Sequence, residues 1–84
     1  MQDAGVIESA VREFFVRSGL WLKEPADLTG ALPLLELGVL DSLNVIGLVD
    51  FVEETYGIEL EPEEIQQFTT IDNIARVIRG RLAA

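Results

Sequence analysis

Apolar residues recur at Val6, Ile7, Ala10, Val11, Phe14 and Phe15, the spacing of one stripe along a helix of about 3.6 residues per turn. Asp3 is placed to cap this helix and Gly19 to end it. A second stripe, Val45, Ile46, Leu48, Val49, Val52 and Tyr56, predicts a helix from about Ser42 to Tyr56 that stops at Gly57. After an extended or turning Ile58-Glu59-Leu60, Pro62 suits the first turn of a short helix through Glu63, Glu64, Ile65 and Phe68. Thr70 then caps a last helix whose stripe is Ile71, Ile74, Ala75, Ile78 and Leu82. No segment alternates with the two-residue period of a half-buried strand, so the pattern predicts an all-α bundle of three main helices and one short one.

The connection from Leu20 to Leu40 contains Pro25, Gly30, Pro33 and Gly38, which break regular structure. It also contains Trp21, Leu22, Leu28, Leu32, Leu34, Leu35 and Leu37. A loop that apolar is expected to lie packed over the bundle, with a short helical turn of its own, rather than to swing freely. The whole chain, 84 residues, is then one domain with an ordered core of about residues 3–82 and no separate substrate lobe.

Charge changes the picture. From Glu36 to Glu64 there are nine acids and no Lys or Arg, within a net charge of −9. That balance argues against unspecific affinity for nucleic acid or an anionic membrane and calls for basic partners. The N-terminus has an early acid and no long apolar run, so a soluble, cytoplasmic, monomeric protein is expected. With no cysteine and no histidine there is no disulfide framework, no thiolate nucleophile and no convergent acid–base set to propose as an active site.

The outer side of the second helix is unusual. Leu43, Gly47, Phe51 and Glu54 share it, flanked by Asn44 and Asp50, with Glu53 keeping its later half acidic. A glycine in a helix interior costs about 1 kcal/mol relative to alanine. Either a partner approaches closely there, or Phe51 packs under the long loop and Gly47 avoids a clash. At the start of the same helix Ser42 follows Asp41, which puts a hydroxyl at the positive end of a helix dipole, where unpartnered N–H groups would receive an attached phosphate. Ordinary helix capping by the Asp-Ser pair is compatible with that role. A calcium loop is excluded, because Leu43 and Val45 would occupy ligand places that they cannot fill, and no metal site is expected.

Taken together, the Asp41-Ser42-Leu43 triplet, the upstream Leu37-Gly38, the downstream Glu53-Glu54-x-Tyr56-Gly57-Ile58 run, the helix order and the acidity resemble the acyl carrier protein family over nearly the whole chain. The resemblance implies a four-helix carrier fold without catalytic activity. It implies that Ser42 is esterified by 4′-phosphopantetheine, transferred from coenzyme A by a phosphopantetheinyl transferase, with Asp41 close to the transferase-bound magnesium. It implies cargo held as a thioester on the arm's terminal thiol, and acyl-loading, acyl-transfer or condensing enzymes whose basic patches read Leu43, Asn44, Gly47, Asp50, Phe51, Glu53 and Glu54.

Carriers of fatty-acid synthesis often have acids where this chain has Asn44 and Gly47, which argues against that role. The Gly-Val-Leu-Asp-Ser-Leu run instead resembles free-standing carriers of natural-product pathways, polyketide pathways among them. An aminoacyl or peptidyl carrier of the same fold, and an unmodified acidic interaction module, are the alternatives.

Overall fold

The computed structural model describes residues 4–83, all helix, turn and irregular chain with no strand among them. The expected Asp3 cap lies outside the described residues. Four helices follow in order: α1 Ala4–Arg17, α2 Asn44–Tyr56, α3 Pro62–Ile65 and α4 Ile71–Ala83. A 3-10 turn, Pro25–Asp27, supplies the helical turn expected in the long connection.

Helix α1 buries Ile7, Val11 and Phe15 completely, one residue every fourth position, and packs chiefly against α4. Helix α4 answers with Ile71, Ile74, Ala75 and Ile78, as its stripe predicts, and adds Val77. Leu82, the last member of the predicted stripe, is exposed near the helix end. Thr70 caps α4 as expected, its Oγ1 accepting the Asn73 N–H at 3.0 Å.

Gly19 and Gly57 end α1 and α2 in the left-handed region, at φ +75° and +65°, where a Cβ would be strained. The Gly57 N–H donates to the Glu53 carbonyl at 2.9 Å and closes the last turn of α2. Helix α3 is shorter than its pattern suggests. It stops at Ile65 and carries Phe68 into the core on the turn that follows. A reciprocal cap between Glu61 and Glu64 holds its start. The Arg81 guanidinium donates to Glu64 Oε1 at 2.7 Å and to the Glu59 carbonyl at 2.6 Å, tying the end of α4 to this connection.

The long connection lies packed over the bundle only in part, since Leu22, Leu35 and Leu37 of its apolar residues stay exposed. Trp21, Leu28, Leu34, Val39 and Leu40 enter the core, and the polar groups that go with them find partners. Arg12 Nε donates to the Leu28 carbonyl at 2.7 Å, the Asp72 N–H to the Gly30 carbonyl at 2.9 Å, and the Leu34 N–H to the Thr69 carbonyl at 3.0 Å. A Cβ at Gly30 would overlap the Asp72 carboxylate, so a larger residue where the loop crosses α4 would have to push that exposed side chain aside.

Glu8 on α1 meets Asp72 at the same crossing. Burial, then the charge of Asp72 and a hydrogen bond to it, push the Glu8 carboxyl above its ordinary value, against the opposing pull of Arg12 and Arg79. A raised carboxyl pKa means that the folded state holds its proton to higher pH than the unfolded chain. Ionised Glu8 therefore weakens the fold above that raised pKa, and acidification towards the ordinary carboxyl range removes the penalty. Glu8→Gln is expected to raise the melting temperature at pH 7, with the gain shrinking as the pH falls. A gain that is independent of pH would contradict the raised Glu8 pKa as its cause.

Candidate functional site

The site is set by where the chain leaves the core. Val39 and Leu40 are buried, and their N–H groups both donate to the Leu34 carbonyl, at 3.0 and 3.1 Å. Directly after this anchor, Asp41, Ser42 and Leu43 are exposed, the Leu43 side chain 80% so.

The turn is fixed by a reciprocal cap. Asp41 Oδ1 accepts the N–H groups of Leu43 and Asn44, each at 2.8 Å. Asn44 Oδ1 accepts the Asp41 N–H at 2.6 Å, and Asn44 Nδ2 donates to the Val39 carbonyl at 3.0 Å. The Val45 N–H already makes a helical bond to the Asp41 carbonyl at 3.0 Å. Helix α2 itself begins at Asn44, two residues later than its pattern suggests, so Ser42 sits in the turn leading into the helix rather than on it.

This arrangement corrects one expectation. The amides of Leu43 and Asn44, which an open helix end would offer to a phosphate, are already held by the Asp41 carboxylate. A phosphate on Ser42 would instead stay in solvent at an exposed turn. Ser42 is exposed, and among the described residues its hydroxyl has no hydrogen-bond partner. Both Asp41 bonds use one carboxylate oxygen, which leaves Oδ2 for another ligand.

The outer side of α2 divides in two. Leu43, Gly47, Asp50 and Glu54 are exposed. They are joined by Ile46, 59% exposed, which the sequence pattern assigns to the core. Helix α2 fully buries only Leu48 and Val52, so its apolar stripe is narrower than its composition suggests. The signal for Ile46 was its position three residues after Leu43, on the same helix face.

The remaining three expected partner residues are occupied within the chain. Asn44 is held in the cap, and Glu53 Oε2 accepts the Leu60 N–H at 2.8 Å across the turn after α2. The Phe51 ring lies on Phe14 of α1 at 4.9 Å between centroids, not under the long loop. A Cβ on Gly47 would meet the Phe14 ring at 3.9 Å, an ordinary contact, so packing does not demand glycine there.

Residues 20–78 match the family model described as Phosphopantetheine attachment site. Similar proteins include "Acyl carrier protein 2, chloroplastic" of Spinacia oleracea, 40% identical over 65 residues, or 77% of this chain. The protein of that name from Arabidopsis thaliana is 38% identical over 67 residues, or 80% of this chain. This chain belongs to the acyl carrier protein family. It spans about half the length of these relatives, the alignments covering 49% and 48% of them. No solved structure gives a significant match.

Family membership settles the kind of chemistry. The cofactor of an acyl carrier protein is covalently attached 4′-phosphopantetheine, the group named in the description of the matching family model. The all-helical fold agrees, and among the described residues no helix is long and apolar enough to cross a membrane.

Proposed function

We propose that Ser42 bears the phosphopantetheine arm and that the chain presents an acyl thioester on it to partner enzymes. The observation that carries this reading is an exposed serine hydroxyl without a partner, in a turn held by Asp41 and Asn44. Loading forms the bond from Ser42 Oγ to the phosphorus that bears pantetheine in coenzyme A. The phosphoanhydride bond breaks, adenosine 3′,5′-bisphosphate leaves, and the serine proton passes to the transferase. Asp41, with Oδ2 left free by the cap, would stand close to the magnesium ion of that complex, which would offset the charge of the phosphates. Since the chain has no cysteine, the only thiol available for a thioester is the arm's.

Incubation with coenzyme A, magnesium and a phosphopantetheinyl transferase is expected to add one phosphopantetheine to the intact mass, and Ser42→Ala to abolish the gain. An equal gain in the variant would place the arm elsewhere.

Acyl-loading, acyl-transfer or condensing enzymes with basic patches would read the exposed strip of Leu43, Ile46, Gly47, Asp50 and Glu54. Contacts of this kind favour fast, salt-sensitive encounters. Asp50→Lys with Glu54→Lys is expected to slow partner turnover at low salt more than Glu13→Lys on α1, the difference narrowing as salt rises. Equal effects would show that the strip is only a solvated face.

The first half of that strip is apolar and uncharged, which supports natural-product, for example polyketide, biosynthesis as the pathway. A net charge of −9, which keeps copies of the chain apart, supports a monomer in the cytoplasm. A mass spectrum of the protein from its own cells, reporting the cargo, tests the pathway.

A further inference from the structure

One amide side chain closes the turn that carries Ser42. Asn44 Oδ1 accepts the Asp41 N–H at 2.6 Å while Asn44 Nδ2 donates to the Val39 carbonyl at 3.0 Å, so a single planar group grips the chain on both sides of Leu40. Exchanging the amide oxygen and nitrogen would set acceptor against acceptor and donor against donor, so only this orientation satisfies both partners. Val39 is itself fixed to the core, buried and with its N–H donated to the Leu34 carbonyl at 3.0 Å. The far end of the turn is held by Asp41, whose Oδ1 accepts the Leu43 and Asn44 N–H groups, each at 2.8 Å. Ser42 is the exposed residue between these two grips. Its hydroxyl has no partner among the described residues, so the turn alone decides where it stands.

We propose that Asn44 is a positioning residue for loading of the arm: its amide holds the Ser42 hydroxyl and the free oxygen of Asp41 in the one mutual arrangement that a transferase meets. The inference rests on Ser42 bearing the arm. Asn44 makes no hydrogen bond to the Ser42 hydroxyl and acts through Asp41 and Val39. Placed by the family resemblance among the residues that partners read, it thereby works from inside the turn.

The role needs an amide. A carboxylate of the same size could accept the Asp41 N–H, but it has no donor for the Val39 carbonyl and would turn a second oxygen towards it. It would also set a negative charge beside that of Asp41. Yet a negative charge in the first turn of α2 favours the helix dipole, so the fold tolerates an acid at this place while the turn is lost. Loss of position matters because a misplacement of about 1 Å at a reacting atom costs up to about a hundredfold in rate.

Transfer from coenzyme A, with magnesium and a phosphopantetheinyl transferase, is measured as kcat and KM for the carrier in the parent, Asn44→Ala, Asn44→Asp and Thr70→Ala. Thr70→Ala removes the cap of α4 and controls for lost stability alone. Both Asn44 variants are expected to lose about tenfold to a hundredfold in kcat with KM within about twofold of the parent, and Thr70→Ala to keep the parental kcat. A raised KM with kcat kept would make Asn44 a partner contact, and an equal loss in Thr70→Ala would make the effect one of folding. Parental kinetics in Asn44→Asp would show that an acid serves the turn as well. Each of these three results overturns the proposal. Parent protein that takes no arm, or takes it at another residue, overturns the Ser42 reading and the positioning role with it.

Discussion

Phe15→Ala is expected to cost about 3–5 kcal/mol of folding free energy, the range for truncating a fully buried phenylalanine. A domain of this length commands roughly 4–13 kcal/mol in total, so one substitution removes a large share of it. Phe15 is fully buried on the α1 stripe that faces α4. Its ring meets Phe14 edge-on at 5.6 Å, and Phe14 in turn lies against Phe51 of α2. The aromatic chain thus joins α1 to α2 across a bundle in which α2 fully buries only two side chains. Thermal unfolding followed by circular dichroism should show the melting temperature falling by about 15 °C or more. A fall of only a few degrees would mean that the core closes over the missing ring.

Substitution of Asp41 separates folding from modification. Asp41→Ala removes the acceptor for the Leu43 and Asn44 amides, at a typical cost of about 0.5–2 kcal/mol, and should also slow phosphopantetheine transfer sharply. Asp41→Asn keeps a good capping oxygen but loses the negative charge. Its stability is expected to stay close to that of the parent while transfer remains slow. If Asp41→Asn is modified at the parental rate, the carboxylate serves only as a cap and its assignment to magnesium is wrong.

The fold was legible wherever local spacing decides it. The α1 and α4 helices and the glycine stops of α1 and α2 follow from chain-local geometry, although Val6 and Leu82 of the predicted stripes are exposed. The Asp41–Asn44 cap is present in the sequence as an acceptor three residues before an amide, and it moves the helix start from Ser42 to Asn44. What could not be read are contacts made across long sequence separations. Nothing local tells that Arg12 will find the Leu28 carbonyl, that Glu53 will hold the Leu60 amide, or that Phe51 will lie on Phe14. Each of these removes a side chain from the surface that periodicity alone would leave on it.

The same logic explains the two halves of the α2 face. A wheel distributes residues by angle, but burial depends on how close the neighbouring elements come. The nearest large neighbours of α2 cover Leu48 and Val52 fully, leave Val45 and Val49 half-covered, and leave Ile46 in solvent beside Leu43. An apolar entrance followed by Asp50 and Glu54 is the surface that a partner enzyme would meet.

The attachment point itself is tested most directly by fragmentation mass spectrometry of the protein after transferase treatment. The chain has three serines: Ser9, Ser18 and Ser42. The account predicts that the phosphopantetheine mass is confined to fragments containing Ser42 and absent from those containing Ser9 or Ser18. An arm found on either of the other two, or on a threonine, would contradict it.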